Sequence, residues 1–72
     1  MKTENKEEKF RRIATARTNR VLNDIRLLGN CSNSNNYSYT EADINKIFNE
    51  INKELKRIRA LFEKSDKNKF SL

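Results

Sequence analysis

The sequence predicts an all-α fold: an antiparallel two-helix hairpin, a single domain over residues 1–72, that dimerises into a four-helix bundle. Three observations predict it. From Ile44 to Phe62 the apolar residues Ile44, Ile47, Phe48, Ile51, Leu55, Ile58 and Phe62 recur every three or four positions, which at about 3.6 residues per turn gathers them on one helix face. Lys46, Asn49, Glu50, Lys53, Lys56 and Arg57 fall on the other face. The run Ser32-Asn33-Ser34-Asn35-Asn36 interrupts the chain with side chains that bond nearby backbone and favour turns over helix. Proline is absent and glycine occurs once, at Gly29, so little stands in the way of long helices on either side.

Helix 1 is expected over about residues 7–28. Thr3 is the expected cap, and Glu7 and Glu8 suit the positive end of the helix. Phe10, Ala14, Val21, Ile25 and Leu28 form its apolar stripe, with Ile13, Thr18 and Leu22 on the shoulders. Gly29 fits a left-handed stop just beyond the last turn. The loop covers residues 29–39. Helix 2 is expected over about residues 40–64, with Thr40 as N-cap, Asp43 closing a capping box and Tyr39 stapled on Ile44. Residues 65–72 are expected to form a flexible basic tail, tethered if at all by Phe70 and Leu72. Helices of about 20 residues joined by a short loop should lie antiparallel, with Val21 opposite Phe48 and Ala14 opposite Leu55.

Size argues for the dimer. A chain of 72 residues buries only about 60% of the surface it exposes when unfolded, so a lone core is thin. The single cysteine, Cys31, excludes an internal disulfide. One thiol without any histidine cannot build a zinc site, so no metal or cofactor is expected. A homodimer is the support that remains. The start, Met1 to Lys9, is charged, and no apolar run approaches the roughly 18 residues of a membrane span. The chain therefore reads as cytoplasmic, without a membrane partner.

Charge carries the functional expectation. The net charge is +6, a footprint suited to a polyanion. Between Phe10 and Leu28 every basic residue is arginine (Arg11, Arg12, Arg17, Arg20 and Arg26), whereas helix 2 is richer in lysine and acidic residues offset its charge. Arginine grips phosphate or carboxylate with two parallel bonds. Arg12, Asn19, Asn23 and Arg26 cluster opposite the apolar stripe, flanked by Arg11, Thr15 and Arg20, and all can donate to phosphates. These are the candidate nucleic-acid or partner-binding residues, with DNA or RNA as the expected partner.

The alternative is a protein-interaction module, a small regulator or inhibitor of phage or mobile-element origin, docking on an acidic protein surface, with the loop Asn30 to Tyr39 as a contact. Membrane-surface attachment by helix 1 ranks last, because tryptophan and a lipid-facing apolar excess are missing. Arg17 falls within the apolar stripe, so its stem packs and its head reaches the rim, or it forms a partly buried ion pair with Glu54, or it serves as a functional arginine in a cleft. Tyr37 and Tyr39 are expected to pack rather than to stack on bases. Cys31 has no base beside it in the sequence, and Glu7 and Glu8 sit in a solvated start, so no enzymatic activity is expected.

Overall fold

The computed structural model describes the backbone of residues 3–69 and the side chains as far as Lys64. It is all-helical, with no strand among the described residues. Helix α1 spans Lys6–Gly29, a short 3-10 turn follows over Asn30–Ser32, and helix α2 spans Glu41–Lys69. The chain divides into two units, Met1–Ser38 and Tyr39–Leu72.

Helix α1 starts at a capping box on Asn5, where the sequence offers Thr3 as the cap. The Glu8 N–H donates to Asn5 Oδ1 at 2.7 Å, and the Asn5 N–H donates to Glu8 Oε1 at 3.2 Å. Two N–H groups that a helix start leaves without partners are thus satisfied reciprocally. The Asn5 carbonyl accepts the first helical bond, from the Lys9 N–H at 3.0 Å.

The far end of α1 also differs from expectation. Gly29 is the last helical residue, with φ −58° and ψ −29°, so it is right-handed and provides no left-handed stop. The Asn30 N–H turns back on the carbonyls of Arg26, Leu27 and Leu28, and the chain tightens into the 3-10 turn. The break comes at Asn33, which is extended at φ −67° and ψ 103°. Its Oδ1 accepts from the Asn35 N–H at 3.0 Å, and its carbonyl accepts from the Asn36 and Tyr37 N–H groups at 3.1 and 3.0 Å. The asparagine-rich run therefore makes its own turn, through the side-chain-to-backbone bonding that its composition favours.

Helix α2 opens on the capping box expected at Thr40. The Asp43 N–H donates to Thr40 Oγ1 at 3.1 Å, and the Thr40 N–H donates to Asp43 Oδ2 at 2.9 Å. A cap of this kind contributes about 1 kcal/mol. The helix continues to Lys69, so residues 65–69 are helical rather than a loose tail. Nothing in Ser65-Asp66-Lys67-Asn68-Lys69 forces a stop, since glycine and proline are both missing there. Phe70 and Leu72 lie outside the described residues.

None of the described side chains is buried. Ile13, Ala14, Leu28, Ile44 and Ile51 are half-buried, and every other described residue is exposed. Val21 keeps 49% and Phe48 53% of its surface.

Candidate nucleic-acid interface

The regular turn of α1 from Lys6 to Gly29 holds Arg12, Thr15, Asn19, Asn23 and Arg26 along one side, with Arg11 and Arg20 at its borders. All seven are exposed, as the sequence suggests for a binding face and as any outer helix face also is.

Two of the arginines are already engaged. Arg12 grips the Glu4 carboxylate with two bonds of 2.9 Å, from Nε to Oε2 and from Nη2 to Oε1. Glu4 precedes the helix, so this fork folds the leading residues back along the first two turns. The hydrogen bond from Arg12 holds the Glu4 carboxyl below its ordinary value of 4.5, and the same bond raises Arg12 further above its own. Arg11 pairs with Glu7 one turn earlier, at 3.1 Å. Both arginines remain largely solvated, with 71% and 63% of the side-chain surface exposed. Exposed pairs of this kind contribute little, so a competing phosphate can displace the carboxylate.

Further along, the face changes character. Among the described residues, Arg17, Arg20 and Arg26 make no ion pair. Arg26 also sits in the last turn, where a cation complements the exposed carbonyls. The acceptor-seeking part of the face is therefore its second half: Asn19, Arg20, Asn23 and Arg26. Sequence reasoning grouped all seven residues alike. Glu7 ahead of Arg11 at four residues is a readable signal for pairing. The reach of Glu4 to Arg12, eight residues on, is not, because it depends on how the chain enters the helix.

Arg17 and Glu54, expected as a partly buried pair, are both exposed. The Glu54 carboxylate is held on its own helix by Arg57 Nε, at 2.6 and 2.9 Å. That bond lowers the Glu54 pKa from 4.5 and raises that of Arg57. A neighbour three residues away on the same helix forms this pair within one turn. Cys31 is a free, exposed thiol in the 3-10 turn.

Among the described residues there is no group of His, Cys, Asp or Glu able to hold a metal ion. No helix there is long and apolar enough to cross a membrane. Two hollows on α2, bordered by Asn49, Lys53 and Lys56 and by Glu50, Glu54 and Arg57, are shallow grooves on the surface of one helix. Set against protein-family models, curated proteins and solved structures, the chain has no match, so its function is argued from these residues alone.

Proposed function

We propose that this chain is a small, non-enzymatic nucleic-acid-binding protein that works as a homodimer of antiparallel helical hairpins closing into a four-helix bundle. DNA or RNA is held on the outer face of α1. The observation that supports the reading is the row of exposed donors Asn19, Arg20, Asn23 and Arg26, whose arginines have no acidic partner among the described residues. Arg11, Arg12 and Thr15 extend the row once phosphate displaces Glu7 and Glu4. Contacts of this kind go chiefly to phosphates, so binding falls steeply as salt rises.

The test is retention of mixed RNA and DNA fragments by the protein and by an Arg20→Glu, Arg26→Glu double variant at about 50 mM salt. The variant should bind at least about tenfold more weakly, and its salt dependence should lose a slope of about one per arginine removed. Its helical circular dichroism should match that of the parent, because both residues are exposed. Equal retention by the two proteins would sink the reading and move the basic face to the acidic protein partner.

A further inference from the structure

Helix α2 repeats with a period of seven over three heptads. Ile44, Ile51 and Ile58 form one column and Ile47, Glu54 and Leu61 the next, so Glu54 is the polar interruption of an apolar seam. Sustained seven-residue spacing is the pattern of helices that pack on helices along their length. The seam is half-buried at Ile44 and Ile51, while Ile47, Ile58 and Leu61 expose 37%, 39% and 56% of their surface. Along its border runs a fourth column: Asp43, Glu50, Arg57 and Lys64. It is acidic in the first half of the helix and basic in the second.

We propose that the occupant of this face is a second copy of the chain, with the two α2 helices antiparallel. The border of this face is complementary in charge to itself. In an antiparallel pair the border columns of the two helices face each other. One register brings Asp43 to Lys64 of the second copy and Glu50 to Arg57 of the second copy, each twice by symmetry. The same register stacks Ile44 on Leu61, Ile47 on Ile58 and Ile51 on Glu54 across the seam.

Sliding one heptad either way sets Glu50 against its own copy or Arg57 against its own copy. Parallel pairing sets Glu54 against Glu54 inside the seam. Each alternative apposes like charges, which is how helix pairs exclude wrong registers. In the favoured register Glu54 keeps the Arg57 that already holds it, and Arg57 lies between Glu54 and the Glu50 of the second copy. The third column, Phe48, Leu55 and Phe62, widens the apolar face beyond what a two-stranded coil covers, as a four-helix bundle requires.

The inference deepens the homodimer of the proposed function, is independent of nucleic acid, and is tested without it. Full-length chain should sediment at about twice its 8.6 kDa. Glu50→Lys alone and Arg57→Glu alone should each weaken self-association by about tenfold or more, since both Glu50–Arg57 border pairs become like pairs. Mixed, the two variants should associate more tightly as a heterodimer than either does alone, because at the Glu50–Arg57 borders each lysine or arginine now meets a glutamate.

Spin labels on Asn45→Cys in a Cys31→Ser chain should stand more than about 20 Å apart in the dimer, against roughly 10 Å for parallel helices. A helical monomer at all concentrations, or a mixture no tighter than its parts, overturns the proposal. A dimer with closely spaced labels overturns the antiparallel register while leaving the homodimer intact. A parental dimer that retains neither RNA nor DNA would count against the α1 face and leave this interface standing.

Discussion

At Gly29 the local backbone contradicts the residue's usual service. The position is right-handed helix, and a Cβ added there meets nothing within 4 Å. Glycine then costs helix stability without offering a conformation that other residues lack. Gly29→Ala should stabilise α1 by about 0.5–1 kcal/mol, seen as a higher thermal midpoint of the helical signal. A lowered midpoint would mean that the left-handed stop forms in solution after all. The asparagines show the same dependence on neighbours. Asn5 caps a helix because Glu8 answers it three residues on, and Asn33 makes a turn because its side chain reaches the Asn35 N–H. Residue type alone did not separate Thr3 from Asn5 as the cap; the spacing to Glu8 does.

The helices as elements rest on caps, on local ion pairs and on amphipathic stripes. The pairs Glu4–Arg12 and Glu54–Arg57 set a direction for pH. Both carboxyls are lowered from 4.5 in the folded state by the arginine hydrogen bond. Their contribution is therefore complete above that value. It is lost as the pH falls through the lowered one, where the unfolded chain takes up protons first. Helical circular dichroism should stay level between about pH 5 and 8 and decline below about pH 4. Helicity that rises on acidification would contradict the pairs. Both are solvated, so salt near 1 M should weaken them as acid does.

Over the whole molecule, the decisive fact is that no described side chain is buried. Helices in proteins owe most of their stability to the packing of an amphipathic face, and large exposed apolar patches mark interfaces. In the proposed dimer Ile47 meets Ile58 of the second copy. Ile47→Glu would set an unpaired carboxylate in that seam and should raise the dissociation constant by about a hundredfold or more. The sedimenting mass should fall toward 8.6 kDa, with helical content falling alongside as the stripes lose their cover. An unaltered sedimentation coefficient would remove Ile47 from the interface.

What the sequence by itself determined is local and periodic. It includes two helices separated by an asparagine-rich turn, the Thr40–Asp43 capping box, the stripe from Ile44 to Phe62 and the placing of the arginines on α1. These follow from spacing within a few residues, where backbone geometry leaves few choices. Only the three-dimensional structure decided which competing local signal wins. It chose Asn5 over Thr3 and helix over a left-handed stop at Gly29, and it carried α2 on to Lys69. It also gave Arg12 to Glu4 and Glu54 to Arg57, leaving Arg17, Arg20 and Arg26 as the arginines of α1 without acidic partners among the described residues. The physical reason is that caps, ion pairs and burial are exchanges among several eligible partners. Spacing shows who is eligible, and the folded geometry settles which exchange has the lower free energy.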